Sequence, residues 1–210
     1  MDEPKNRTLI YRMVHYKNLE SLLTYGIHCS NHTNKIPNYI NIGAKNLISK
    51  RDFYNVPIYP NGVLNDYIPF YFSPRSPMLF AIKSNPQEYG VEQSNIIYLV
   101  SSVEKIEESK LDYVFSDGHF NFVFTKFYNK KEDLNKLDWN TINAKFWANT
   151  QDDNDKERRR QAEFLVYRSI PFDCIGAIIS NNDIVQKHVA TMLLKHNKKL
   201  YNEVKTNFYF

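Results

Sequence analysis

The sequence predicts an α+β fold. Short apolar runs of β type are mixed with capped, amphipathic helices, and the two do not alternate in a regular βαβ repeat. The six glycines are scattered, so no GxGxxG or GxxxxGK loop follows any strand, and a Rossmann or Walker-type nucleotide site is excluded. At 210 residues, with no internal repeat and no low-complexity linker, the chain reads as one domain, residues 1–210.

Each element follows from local chemistry. Residues 8–14 form a strand, and 19–25 a helix with Asn18 as N-cap and Gly26 ending it at positive φ. Residues 27–66, rich in Asn, Pro and Gly, are predicted irregular, and so long a loop in a compact domain is usually functional. Residues 68–72 read as a strand that Pro69 places at a sheet edge or end. Ser76-Pro77 starts a helix that runs to Lys83, with serine as N-cap and proline at the first helical position. Residues 95–100 are a buried strand and 113–115 a short one. Asp138-Trp139 opens a helix extending to about Ala148, followed by a charged loop over 149–157 that reads as mobile. Strands follow at 164–168 and 174–180, then a helix capped by Asp183 that carries Val185, Val189, Met192 and Leu193 on one face.

Composition narrows the class. An apolar share of 42% describes a globular chain, and a net charge of +4 permits an anionic partner without demanding one. No apolar run is long enough to span a bilayer, and the polar start MDEPKNRTLI lacks the order of a secretory signal. Cys29 and Cys174 have no metal spacing and fit a reducing, cytoplasmic setting. The histidines show no HExxH or Cys/His pattern, so no metal is expected, and Asp117-Gly118-His119 reads as a turn. The 15 tyrosines and 14 phenylalanines build a core, and aromatic rings also stack on the bases of single strands.

One stretch resists an ordinary reading. In RRRQAEFLVYRS, three arginines, Arg158, Arg159 and Arg160, run into Glu163, which opens an apolar β-type segment. A carboxylate leading into a buried strand costs stability unless something pairs it. Two readings stay open from the residues alone: a structural charge cluster, or a catalytic carboxylate beside a polyanion-binding patch. His15, Arg51 and Arg75 likewise sit at the ends of apolar segments. Together with Glu163 they suit glycosidic-bond chemistry, which needs a carboxylate beside an oxocarbenium-like sugar and cations to hold a dinucleotide.

DYIPFYFSPRSPML (66–79) and RRQAEFLV (159–166) carry a resemblance to the DarT-type DNA ADP-ribosyltransferase toxins. VHYKNLESLLTYGI (14–27), ISKR (48–51), SDGH (116–119) and LDWNTI…W (137–147) support it over roughly residues 9–195. The 127–136 stretch and the acidic 151–155 loop depart from the pattern. The resemblance implies an ADP-ribosyltransferase-like fold, a split central β-sheet with peripheral helices that holds NAD without a Rossmann motif. It implies Glu163 and Arg51 as catalytic residues, and His15, Asn18, Arg51, Tyr71, Arg75 and Met78 around NAD. It also implies His119 and Arg158 to Arg160 on the DNA side. NAD would be the co-substrate, with no metal. The acceptor would be a base of single-stranded DNA, thymidine rather than guanosine, and the partner a macrodomain antitoxin of the DarG type. Two other readings remain: a non-catalytic single-strand-binding module, and a transferase of the same fold acting on RNA or protein.

Overall fold

The computed structural model describes residues 7–34 and 36–210. The first six residues, which begin the stretch read above as no signal, lie outside it. Ten strands occur among the described residues: β1 (Leu9–His15), β2 (Ile27–His28), β3 (Tyr67–Tyr71), β4 (Ile96–Ser102), β5 (Tyr113–Ser116), β6 (Phe127–Tyr128), β7 (Glu163–Tyr167), β8 (Ser169–Ile170), β9 (Ala177–Ser180) and β10 (Tyr201–Val204). The helices are α1 (Leu19–Tyr25), α2 (Lys45–Arg51), α3 (Pro77–Ser84), α4 (Pro86–Tyr89), α5 (Val103–Glu108), α6 (Trp139–Ile142), α7 (Lys156–Arg159) and α8 (Asp183–Lys195). Eight strands form one sheet in the order β10-β9-β4-β1-β3-β7-β5-β6, while β2 and β8 pair separately. No described helix is long and apolar enough to cross a membrane.

The sheet is split in its middle. Seven residue pairs join β1 to β4, but Tyr11↔Tyr71 is the single register pair between β1 and β3. Pro69 sits in the interior of the strand order, not at its edge as expected. Proline offers no N–H to a ladder, and it is tolerated because β3 has already parted from β1 there. The freed Pro69 carbonyl accepts from Arg12 Nη1 at 3.0 Å.

Strand periodicity sorts the side chains. Ile10 and Val14, Ile97 and Leu99, and Phe164 and Val166 face the main core with Val185, Val189 and Leu193 of α8. On the other face Tyr11, Met13, Tyr98 and Val100 pack with Leu79, Ile179 and Tyr209. Ser76 caps α3 as expected, accepting from the Leu79 N–H at 3.3 Å.

Other local expectations are revised. Asn182, not Asp183, caps α8, accepting from the Val185 N–H at 3.0 Å. Asn18 caps nothing. Its amide donates to the Ile40 carbonyl and accepts the Ile40 N–H, both at 2.9 Å, tying the long 27–66 segment to the start of α1. Gly26 does take positive φ (83°), but with extended ψ. The helix opened by Asp138 lasts one turn, because the chain then turns away and Trp147 packs edge-on against Phe80.

Candidate active site

The split between β1 and β3 opens into a cleft of about 380 Å³. β1 contributes Arg12 and Met13, β3 contributes Pro69 and Tyr71, and the 27–66 segment folds over as a wall through Tyr39, Asn41, Ile42 and Gly43. Asn18, expected beside NAD, does not line the cleft; it holds the wall through Ile40.

Glu163 is the first residue of β7, opposite Tyr71 of β3. Because strand side chains alternate, 163 lies on the face opposite Phe164 and Val166, so the carboxylate enters the cleft while the next residue enters the core. Its backbone N–H donates to Ser116 Oγ at 3.3 Å, and the Ser116 hydroxyl donates to the Gly118 carbonyl at 2.8 Å. Arg51, at the end of α2, brings Nη1 to 3.3 Å from both Glu163 oxygens, with its Nη2 3.4 Å from the Leu64 carbonyl. Asn65 fixes α2, donating to the Ile48 carbonyl at 3.2 Å and to Asp52 Oδ1 at 2.6 Å. Glu163 therefore leads into a buried strand with a guanidinium on its carboxylate.

Tyr71 and Met78 flank the pair, with the phenol hydroxyl 3.7 Å from the Met78 sulfur. Burial, and then the Glu163 charge, raise the Tyr71 pKa, so its hydroxyl stays protonated and able to donate. His119 also lines the cleft and stacks on Phe120, over whose ring the Arg51 guanidinium lies 5.5 Å from the centroid. Burial lowers the His119 pKa, keeping the ring neutral at pH 7.

Other expected residues lie elsewhere. His15 is buried and absent from the cleft lining; its Nδ1 accepts the Lys17 N–H at 3.2 Å and its ring stacks on Tyr16. Arg75 also lies off the lining, at φ 57°, with its guanidinium carbon 4.5 Å from the centre of the Phe210 ring. The arginine run, expected to meet phosphates, is engaged within the protein. Arg158 is buried between Asp117 and Asp155, each at 2.8 Å. Arg159 is half-buried among Asp138, Asp153 and Asp155. Arg160 is buried, with no carboxylate partner among the described residues, and donates to the Pro74 and Arg75 carbonyls at 2.7 and 3.1 Å. The acidic loop read as mobile thus pairs, through Asp153 and Asp155, with Arg158 and Arg159.

Arg12, Phe120 and Gln161 belong to the cleft and were not anticipated from the sequence. Gln161 lies in the turn that ends α7, its N–H donating to the Arg158 carbonyl at 3.0 Å, so strand alternation from Glu163 gives no signal for it. Among the described residues no three His, Cys, Asp or Glu side chains are placed to hold a metal.

Residues 11–210 match the DarT family, described as ssDNA thymidine ADP-ribosyltransferase. The chain belongs to that family. It is similar to a DNA ADP-ribosyl transferase of Escherichia coli O127:H6, 33% identical over 207 residues, which are 97% of this chain and 94% of that one. Thermus sp. 2.9 DarT in complex with ADP-ribosylated ssDNA superposes with a TM-score of 0.89 at 33% identity, over 97% of this chain and 96% of that chain. The same protein in complex with NAD+ gives 0.85 at 32% identity, with both chains fully covered. Thermosipho africanus DarTG in complex with ADP-ribose gives 0.77 over 96% of this chain and 51% of that one; at 20% identity this likeness is one of fold. The split sheet is thus the DarT arrangement that the sequence resemblance implied.

Proposed function

We propose that this chain is an NAD-dependent DNA ADP-ribosyltransferase that modifies thymidine in single-stranded DNA, with Glu163 and Arg51 as its catalytic residues. The observation that carries this reading is the Arg51–Glu163 pair, 3.3 Å apart, set in a cleft between the halves of a split sheet in a chain of the DarT family.

The chemistry follows from charge. NAD lies in the cleft with its nicotinamide ribose at Glu163. The glycosidic bond between ribose C1′ and the nicotinamide nitrogen breaks, and its electron pair leaves with nicotinamide, which becomes neutral. Glu163 stabilises the positive charge that develops on the ribose, the kind of electrostatic assistance that dominates many enzymatic rate enhancements. The thymine imide nitrogen then bonds to C1′ and gives its proton to Glu163, which is general base catalysis worth roughly 10² to 10⁴-fold. Arg51 holds the carboxylate in place until substrate arrives and then turns to the phosphates or the acceptor base. Tyr71 and Met78 lie beside the nicotinamide end, and His119 beside the base. A single strand exposes that base without the cost of unpairing it.

The protein acts as a toxin, and a macrodomain antitoxin of the DarG type reverses its product. Incubation with labelled NAD and four single-stranded oligonucleotides of different base content tests the whole reading. Label should follow thymidine, and a macrodomain of this kind should release it. Label on thymidine-free DNA, on RNA or protein alone, or on nothing at all would remove it.

A further inference from the structure

Past His119 and Phe120, the loop between β5 and β6 ends in an apolar tip. Phe122 is 40% exposed, Phe124 60% and Val123 98%. Three such side chains together in water mark a surface that meets something. The tip is braced at its root. The His119 N–H donates to the Arg158 carbonyl at 3.1 Å, Thr125 Oγ1 to the His119 carbonyl at 2.7 Å, and the Thr125 N–H to the Phe122 carbonyl at 3.0 Å. The Arg158 guanidinium carbon lies 4.9 Å from the centre of the Phe124 ring.

The patch is continuous with the catalytic cleft. Phe120 and His119 line the cleft, and the His119 ring meets Phe122 edge-on at 6.4 Å. Phe122 and Phe124 are tilted against each other at 5.8 Å. A row of rings therefore leads outward from Arg51 and Glu163. A thymine drawn into the cleft leaves the bases beside it without a stacking neighbour, and every base has a π-face that an aromatic side chain can cover.

We infer that Phe122, Val123 and Phe124 form a stacking platform for the bases flanking the acceptor thymidine. This rests on the DNA ADP-ribosyltransferase reading above. Bases suit the patch better than a protein surface does, because the rings continue the wall of the cleft that takes the acceptor. The platform contributes affinity for the strand, while the ion-paired Arg158 supports it from beneath and makes no phosphate contact.

The test is fluorescence anisotropy of a labelled single-stranded oligonucleotide with one thymidine, without NAD, so that binding is read apart from catalysis. Wild type, F122A/F124A and F122Y/F124Y are compared, each with intact flanks and with abasic flanks. F122A/F124A should bind the intact strand at least tenfold more weakly, as expected for the loss of stacking on one or two rings. F122Y/F124Y should bind like wild type. On the abasic strand wild type should fall to the level of F122A/F124A, because the two changes remove one interaction. Circular dichroism and NAD calorimetry should be unchanged in both variants. Equal binding by wild type and F122A/F124A, as expected if the patch faces a protein, overturns the platform. So does a loss in the alanine variant that is undiminished on abasic flanks. If wild type binds the strand but labelled NAD never marks it, the transferase reading fails while the platform is still judged by its own cycle.

Discussion

Glu163 waits for substrate with Arg51 on its carboxylate. Replacing it with Gln keeps the shape and part of the hydrogen bonding but removes the proton acceptor and the negative charge. Glu163→Gln should lower DNA labelling on the order of 10³-fold or more while NAD binding changes little, since the lost interactions act in the transition state. Single-turnover assays with labelled NAD, set beside calorimetry, check this. Arg51→Ala differs, because it strands a buried carboxylate. Stability should fall by about 1–3 kcal/mol along with activity, read as a lower urea midpoint. Lys at 51 should not restore activity, because one ammonium cannot reproduce a guanidinium shared between Glu163 and the Leu64 carbonyl.

At the scale of elements, the arginine run and the 27–66 segment each give a measurement. Arg158→Met leaves Asp117 without its ion-pair partner and Asp155 with Arg159 alone, so thermal unfolding should drop by an amount equivalent to about 2 kcal/mol. Single-strand affinity should fall as the tip of the β5–β6 loop loosens, but its dependence on salt should keep the same slope, because no phosphate contact is lost. A flatter slope would return Arg158 to the DNA. Asn18→Ala releases the clamp on Ile40, and NAD affinity should weaken severalfold in calorimetry, although Asn18 lies off the cleft lining. These cases also mark what the sequence could tell. The long apolar strands and the Ser76-capped helix were legible because local pattern and cap chemistry decide them. α2 was not, since seven residues with no side-chain cap give almost no periodicity. β10 was not, because YNEV is held by parallel pairing to β9, which leaves no local signature. Glu163 and Arg51 stood out by their place at the ends of apolar segments, and motif resemblance supplied their roles and added Tyr71, Met78 and His119. Arg12, Phe120 and Asn65 act through partners distant in the chain, and no local pattern announces that. The engagement of the arginines within the protein was not legible, because an exposed cationic run and a buried one look alike until Asp117, Asp138, Asp153 and Asp155 are placed.

For the whole molecule, acid is the revealing variable. His15 and His119 both titrate below the ordinary histidine value, first because burial disfavours the charged ring. Lys17 adds to this at His15; at His119, Glu163 opposes it and Arg51 adds to it. The unfolded chain takes up these protons near its ordinary pKa of about 6.5, before the folded one does. The folded state thus binds fewer protons, so this contribution is full above about pH 6.5 and is lost as pH falls through the lower folded values. Urea midpoints should be lower at about pH 5.5 than at about pH 7.5, and replacing His15 and His119 with Gln should shrink the gap. Finally, Arg51 and Glu163 are 112 positions apart in the chain. Domains are synthesised at roughly 5–20 residues per second, so on the order of ten seconds separates the emergence of the two from the ribosome. On the function proposed above, the nascent chain carries only one member of the Arg51–Glu163 pair until β7 has left the exit tunnel, and a message broken before that point should yield a fragment that labels no DNA.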